Sequence, residues 1–133
     1  MLVAVDLSPE SKSVVERALQ LAGDDSPRFT IVHALNGIES AEAVQSPARW
    51  RVPEYRAHLF EDARRQLEAV LNELSTPGDT RVQFAAGSTP DAIANAARAT
   101  NADLIVVGRS DRFRPLGRTA LRVLRDEERA LLV

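Results

Sequence analysis

The sequence contains no cysteine, which excludes disulfide bonds, thiol catalysis and thiolate metal sites. It also lacks any apolar run of the roughly 20 residues that a membrane-spanning helix requires. Lys12 is the single lysine, and the formal net charge of -2 argues against a general nucleic-acid-binding protein. No basic and apolar leader with a cleavage site opens the chain, so we expect no signal peptide and a cytoplasmic protein.

What the sequence does contain is the composition of a globular domain. Hydrophobic residues make up 44% of the 133 residues and charged residues 27%. This balance is typical of a soluble protein with one hydrophobic core. We therefore expect a single domain over residues 1–133.

Short apolar segments alternate with amphipathic segments along the chain. Five segments are predicted to be strands: residues 2–5, 29–35, 81–86, 103–107 and 130–133. Four helices are predicted between them, beginning near Ser8, Glu54, Thr89 and Gly117. Residues 36–53 have no clear period and are predicted to be a long loop, with a helical turn near Ala41. The alternation predicts an α/β fold, a doubly wound three-layer sandwich around a parallel sheet.

Helix caps and apolar faces follow from the same pattern. Ser8 and Thr89, each next to a proline, are predicted to be helix N-caps. In the second helix, seven apolar residues are predicted to face the core: Leu59, Phe60, Ala63, Leu67, Val70, Leu71 and Leu74. In the last helix, three are: Ala120, Leu121 and Leu124.

The stretch from Asn101 to Thr119 is where a ligand site is expected. The fourth predicted strand ends at Gly108, an arginine-rich loop follows, and Gly117 precedes the last helix. In open α/β sheets, ligands lie outside the carboxyl ends of the strands. The rim of a small-molecule site should therefore be here.

Three segments carry a family resemblance. They are LVAVDLSPESKSVVERALQLA at the N-terminus, FTIVHAL at the second strand, and GSTPDAIANAARATNADLIVVGRS from the third strand to the glycine loop. In this order and spacing, the chain resembles the universal stress proteins. The resemblance implies a five-stranded sheet of order 3-2-1-4-5, of the adenine nucleotide alpha hydrolase-like kind, and dimers that pair their C-terminal strands.

Many members of that family bind ATP through Gly, two residues, Gly, nine residues and Gly-Ser/Thr, because glycines and helix N-termini let backbone N–H groups approach phosphate. By the resemblance, Gly108 stands for the first glycine and Gly117 for the third. Asp111 replaces the second glycine, and Arg118 occupies the hydroxyl position with Thr119 beside it. The loop is also shorter than the family's.

These departures weaken the expectation of ATP binding. Two like charges about 4 Å apart repel by roughly 4 kcal/mol at an effective dielectric of about 20, so the Asp111 carboxylate would oppose a phosphate. Four arginines crowd the same region: Arg109, Arg112, Arg114 and Arg118. They could bind phosphate bidentately in place of the glycine loop, or form a solvated, salt-bridged surface.

The adenosine part of the site is better kept. By the resemblance, Asp6 would bind ribose hydroxyls, while Ala4, Val5 and Ala34 would line the adenine. Asp6 could instead cap the turn into the first helix. The candidate cofactor-binding residues are Ala4, Val5, Asp6, Ala34, Val107, Gly108, Gly117, Arg118 and Thr119.

The sequence gives little indication of a catalytic site or a metal site. His33 and His58 are the only histidines, and we interpret both as structural, without a carboxylate at ligand spacing. The serines lack a Gly-x-Ser-x-Gly elbow. Asp24 and Asp25 follow a helix and not the first strand, which disfavours a receiver domain.

Two functional hypotheses remain, with a less favoured enzyme class of related adenosine-binding folds behind them. The first is a nucleotide-responsive module that binds ATP or AMP weakly. The second, modestly favoured, is a regulatory module in the stress response that has lost ATP binding. It would act as a homodimer through its C-terminal strand and through protein partners, because an open strand edge invites pairing. Neither hypothesis requires a membrane, nucleic acid, metal or catalysis.

Overall fold

The computed structural model describes residues 1–23, 28–35, 52–108, 118–126 and 130–133. Within these ranges strands and helices alternate. The strands are β1 Leu2–Val5, β2 Thr30–Leu35, β3 Arg81–Ala86, β4 Leu104–Val107 and β5 Ala130–Leu132. The helices are α1 Ser11–Ala22, α2 Val52–Asn72, α3 Thr89–Thr100 and α4 Arg118–Asp126.

The strands form one sheet of order β3-β2-β1-β4-β5, in which every neighbouring pair is parallel. The predicted fold and strand order are therefore confirmed. Val5 lies opposite His33, and Ala4 lies opposite Val107. This register brings the carboxyl ends of β1, β2 and β4 to the same edge of the sheet, where the chain enters α1 and approaches α4.

Each face of the sheet carries its own apolar cluster. One cluster packs α1 and α2 against alternate strand residues, with Val15, Phe29 and Leu67 almost fully buried. The other packs α3 and α4 against the remaining strand residues, with Ile93 and Val123 at its centre. Burying each such side chain contributes about 1.5–3 kcal/mol, so the two clusters hold the three layers together.

Both predicted N-caps are wrong. Residues 8–10 form a turn, α1 begins at Ser11, and Glu10 at the cap position makes no capping hydrogen bond. At α3 the cap is Ser88, whose extended backbone lets its Oγ accept from the Asp91 N–H at 3.4 Å. Thr89 lies inside the helix, because only the first of these two adjacent hydroxyls has the non-helical backbone that a cap needs.

The apolar faces of α2 and α4 also differ from the prediction. The α2 helix begins earlier than Glu54, at Val52. Phe60 is 43% exposed, because it lies over the edge strand β3, where its ring meets Phe84 edge-on at 5.0 Å. In α4, Leu121 is 50% exposed while Val123 is buried. The core therefore takes Ala120 and Val123, three residues apart, and leaves Leu121 outside. Two predictions concern parts of the chain outside the described residues: the side chain of Leu124 and the turn near Ala41.

Within the described ranges, no helix combines the length and apolar character that crossing a membrane requires.

Candidate functional site

A cavity of about 230 Å³ opens at the carboxyl ends of β1, β2 and β4. The start of α1 and the N-termini of α3 and α4 close its sides. Eight of the nine candidate residues line it: Ala4, Val5, Asp6, Ala34, Val107, Gly108, Arg118 and Thr119. The ninth, Gly117, lies outside the described residues, as do Asp111 and the three arginines Arg109, Arg112 and Arg114.

Asp6 is the acidic residue at the end of β1, and its carboxylate is already oriented by two donors. The Ser8 backbone N–H donates to Asp6 Oδ1 at 3.0 Å, and the Ser11 hydroxyl donates to the same oxygen at 3.0 Å. The first contact is an Asx-type turn, in which a carboxylate accepts from the N–H two residues later. Asp6 therefore holds the turn into α1 and still faces the cavity.

These contacts also set the charge of Asp6. Burial by itself would raise the pKa of the Asp6 carboxyl, but hydrogen bonds from Ser8 and Ser11 favour the ionised form and outweigh it. The pKa of Asp6 is therefore lowered from its usual value, so the cavity carries a full negative charge at this corner at neutral pH.

The backbone at Leu7 makes this arrangement possible. Leu7 has φ 61, in the left-handed region that a branched residue rarely adopts. Its side chain packs against the α1 and α2 cluster. The left-handed residue reverses the chain between Asp6 and Ser8, so that the Ser8 N–H points back at the carboxylate.

His33 lines the cavity from β2 and is joined to the end of β1. Its Nδ1 lies 2.9 Å from the carbonyl oxygen of Val5. Because a carbonyl only accepts, His33 must donate through Nδ1–H, which fixes the tautomer of the neutral ring. The ring also meets Phe84 edge-on at 6.3 Å. His33 therefore links the two strands next to Asp6, in agreement with its interpretation as structural.

His58 lies away from this cavity, on α2. Its Nε2 is 3.3 Å from Asp62 Oδ2, one helical turn later. The expectation that no carboxylate stands at ligand spacing from His58 was therefore wrong. The pair is exposed, and the described residues contain no cluster of three or more groups able to hold a metal ion.

Gly108 follows directly after β4 and lines the cavity where α1 comes close. A Cβ atom at this position would lie 3.0 Å from Val14 Cγ2. A distance of 3.0 Å is tighter than nine in ten real Cβ contacts, so the Val14 side chain would have to shift by a few tenths of an ångström. The glycine therefore favours the close approach of α1, a reason separate from the phosphate contact that the resemblance implies.

The opposite wall is the start of α4. Arg118 is exposed, Thr119 is half-buried and Ala120 is buried against the sheet. The α3 helix also begins at the cavity, with Thr89. Helix N-termini carry partial positive charge and attract anions. Among the described lining residues, two carboxylates, Asp6 and Glu10, face one guanidinium, that of Arg118.

A model of the universal stress protein family matches residues 1–132. The chain belongs to the universal stress protein family. Among curated proteins, it is similar to universal stress protein A homolog 1 of Coxiella burnetii (strain RSA 493 / Nine Mile phase I). The two are 27% identical over 108 residues, which cover 81% of this chain and 74% of that protein.

Solved structures share the fold of this universal stress protein. A universal stress protein family member from Burkholderia pseudomallei is 23% identical, with a TM-score of 0.73, covering 98% of this chain and 91% of that one. A universal stress protein solved in complex with cAMP is 21% identical, with a TM-score of 0.61, covering 99% of this chain and 92% of that one.

The candidate set missed part of the cavity wall. The missed lining residues are Ser8, Glu10, Ser11, Val14, His33, Thr89, Ile93 and Ala120. Seven of them come from the turn before α1 or from the first five residues of α1, α3 or α4, and His33 comes from β2. Their position at helix starts that follow strand ends was a usable signal, because these starts meet at one edge of a parallel sheet.

Proposed function

We propose that this universal stress protein is a binding and regulatory module of the stress response that holds adenine nucleotides by their adenosine part and binds ATP weakly. The observation that carries the proposal is the cavity at the strand ends, lined by eight of the nine candidate residues. Cytoplasmic location forms part of the same proposal.

The shape of the cavity favours a nucleoside. Small side chains, Ala4 and Ala34, leave room beside the sheet, while Val107 and Ile93 add apolar surface. An adenine ring needs such a flat apolar slot with a few polar groups at its end. Asp6 supplies the polar group, because an ionised carboxylate accepts hydrogen bonds from hydroxyls.

The charges oppose a triphosphate. Two carboxylates and one guanidinium line the described cavity. In the sequence, Asp111 stands where the family's loop has glycine, and Arg109, Arg112 and Arg114 stand in the same segment, which lies outside the described residues. The volume of about 230 Å³ lies below the roughly 300–1,000 Å³ of typical ligand pockets. A ligand with a single phosphate group therefore fits better than ATP, and the cAMP held by a structural relative is of this class.

Binding, and not catalysis, is the proposed role. Ser11 is almost fully buried and donates its hydroxyl to Asp6, so it is no accessible nucleophile. The Nδ1 of His33 is bound to the Val5 carbonyl. Neither group is therefore arranged as the nucleophile and base pair that acyl transfer uses.

Calorimetry tests the proposal with adenosine, AMP, cAMP and ATP, each with and without magnesium. We expect AMP or cAMP to bind at about 100 μM, near -5.5 kcal/mol, and ATP more weakly. Asp6→Ala should weaken binding about tenfold or more. Asp103→Ala removes the same charge from an exposed residue just before β4, at the opposite edge of the sheet, and should change nothing. No binding by any adenosine ligand would contradict the proposal.

Protein contact through β5 is a second candidate role. In the described sheet β5 pairs only with β4, and Leu132 and Val133 next to its open edge are 38% and 40% exposed. An exposed edge strand can pair with a second copy. Light scattering at high concentration should show a dimer that deletion of residues 131–133 dissociates. A monomer at every concentration would rule this role out.

A further inference from the structure

A second cavity, of about 90 Å³, lies in the groove between α3 and α4. Asn95 and Arg98 line it from α3, and Arg122 lines it from α4. The buried residues Ala94 and Val123 line it as well, so the cavity reaches down between the two helices. Small-molecule pockets have volumes of roughly 300 Å³ or more. This cavity therefore suits one polar group of a ligand whose other parts lie outside it.

The charge of this groove is positive on balance. Arg98 and Arg122 bring two guanidinium groups to its lining, and Asp91 brings one carboxylate. Arg122 Nη2 lies 3.5 Å from Asp91 Oδ1, and Arg98 Nη1 lies 3.4 Å from Asn95 Oδ1. Both distances exceed the usual range of about 2.7–3.2 Å, so these two contacts are weak.

Arg98 and Arg122 can bind a further carboxylate although both already have partners in the protein. A guanidinium group carries five N–H donors and binds a carboxylate through two of them. Exposed ion pairs contribute only about 0–1 kcal/mol, and the Arg122 and Asp91 side chains are 49% and 59% exposed. An entering carboxylate can therefore exchange with the present contacts at little cost.

The outward face of α4 continues the positive surface. Arg118, Arg122 and Arg125 follow one another at spacings of four and three residues, and all three are exposed. Leu121 lies on the same face of the helix and is exposed too. The sequence has no acidic residue between positions 118 and 125. The helix thus offers a row of cationic groups with one apolar side chain among them.

The chemistry of these two helices favours a protein partner over a nucleic acid or a membrane. Neither helix contains an aromatic residue on which a base could stack. A helix that lies on a membrane needs a broad apolar face, whereas Ala120 and Val123 of α4 are buried against the sheet. Among the described side chains of α4, Leu121 is the one large apolar side chain that is exposed.

We propose that the groove between α3 and α4 is a docking site for an acidic segment of a partner protein. The segment lies along the outward face of α4 and places one carboxylate side chain in the cavity between Arg98 and Arg122. Clusters of arginine recognise acidic motifs in this way, because each guanidinium pairs with a carboxylate in a fixed geometry. The proposal does not require a nucleotide in the larger cavity, so either can fail without the other.

Fluorescence anisotropy tests the proposal with a labelled synthetic peptide of about twelve residues, in which pairs of glutamates alternate with leucine. At low ionic strength we expect a dissociation constant of about 100 μM, weakened at least tenfold when glutamine replaces every glutamate of the peptide. Arg98→Gln and Arg122→Gln should each weaken binding about fivefold. Arg81→Gln removes the same charge at the exposed start of β3, at the far edge of the sheet, and should change nothing.

Three outcomes of this experiment would overturn the proposal. The first is no binding of the acidic peptide, and the second is an equal loss of affinity in Arg81→Gln. The third is an RNA oligonucleotide or phosphatidylserine vesicles that bind with the same dependence on Arg98 and Arg122 while the peptide does not bind.

Two uncharged variants test whether a carboxylate enters the cavity. Asn95→Leu places a larger apolar side chain at an exposed position that lines the cavity. Peptide binding should fall about fivefold although the charge of the groove is unchanged. Ala99→Leu adds the same side chain at an exposed position of α3 outside the cavity lining, and is the matched control. Unchanged affinity in Asn95→Leu, with unchanged helix content by circular dichroism, would mean that no side chain enters the cavity and would contradict the proposal.

Discussion

The cavity has two unlike walls, one formed by the start of α1 and one by the start of α4. On the α1 side, the Asp6 carboxylate accepts two hydrogen bonds, one of them from the buried Ser11 hydroxyl. On the α4 side, Arg118 is exposed and makes no hydrogen bond or ion pair with another described residue. The α1 wall is thus organised before a ligand binds, whereas the α4 wall offers a helix N-terminus and an exposed cationic side chain that no other described residue holds in place.

This difference indicates which part of a ligand the cleft selects. Groups that are already oriented lose little entropy when they bind, and therefore give specificity. An exposed arginine must be ordered by the ligand itself, which reduces its contribution to affinity. The cleft should therefore discriminate ribose and base strongly and phosphate weakly.

Of the substitutions in the cavity, a larger side chain at Gly108, between the α1 wall and the α4 wall, should reduce ligand affinity most. In Gly108→Val, the new Cβ would meet Val14 Cγ2 near 3.0 Å. The added side chain would displace α1 or enter the cavity, and we expect adenosine to bind roughly 30-fold more weakly, which corresponds to about 2 kcal/mol of binding free energy. Calorimetry measures this. Gly78→Val is the control, because a Cβ there meets nothing within 4 Å.

Should Gly108→Val fail to fold, a gentler pair of variants decides the same point. Gly108→Ala should weaken binding, and adding Val14→Ala should restore it by removing the clashing methyl groups. Equal affinities for the single and double variants would show that the contact with Val14 is unimportant.

The next largest effect, on the free energy of unfolding, should come from removing the hydrogen bond by which His33 of β2 is joined to Val5 of β1. His33→Leu leaves the carbonyl of Val5 without its 2.9 Å partner. Val5 is 7% exposed, so water reaches this carbonyl poorly. We expect a loss of about 1–3 kcal/mol in the free energy of unfolding, measured by urea denaturation.

His33→Asn is the matched variant, because its side-chain N–H₂ can stand where Nδ1–H stands. It should recover part of the loss, although the edge contact with Phe84 is gone in both variants. If Asn is as destabilising as Leu, the ring and not the hydrogen bond is what stabilises this end of the sheet.

The sequence predicted the sheet more completely than it predicted the cavity. The strand limits and order followed from alternating apolar segments and from the family resemblance, because period and chain order largely determine a doubly wound sheet. Ala4, Asp6 and Gly108 could be identified because they lie at or just after the carboxyl ends of strands, at the edge where ligands bind.

Other features depended on tertiary contacts that no local pattern contains. Ser11 and Val14 were missed, since their role comes from the approach of α1 to the ends of β1 and β4. Phe60 and Leu121 were placed in the core although both are exposed. The two helices carry more apolar residues than the sheet can cover, and only packing decides which remain outside.

A smaller effect on ligand affinity is expected from removing the charge of Arg118 on the α4 wall. Arg118→Gln should weaken AMP binding about threefold and leave adenosine binding unchanged, because an exposed arginine contributes little to a phosphate contact. The difference should shrink in high salt. Arg81→Gln, at the exposed start of β3, serves as the control. An equal loss for adenosine would mean that Arg118 supports the cleft and not the phosphate.

The smallest expected effect is the loss of folding stability in acid, when the Asp6 carboxylate becomes protonated. The pKa of Asp6 is lowered in the folded protein because hydrogen bonds from Ser8 and Ser11 outweigh the effect of burial. A carboxyl group whose folded pKa is below its unfolded value, about 3.9, stabilises the fold above that value. The contribution is lost as pH falls through the folded pKa.

The Asp6→Asn variant tests this, because it keeps an oxygen that can accept from both donors and removes only the charge. The difference in unfolding free energy between the unaltered protein and Asp6→Asn should therefore be constant from about pH 5 to 7 and decline below about pH 4. Urea denaturation across this range measures it, with Asp103→Asn as the charge control. A difference that grows as the pH falls would reverse the sign, and would mean that the two serines favour the protonated carboxyl.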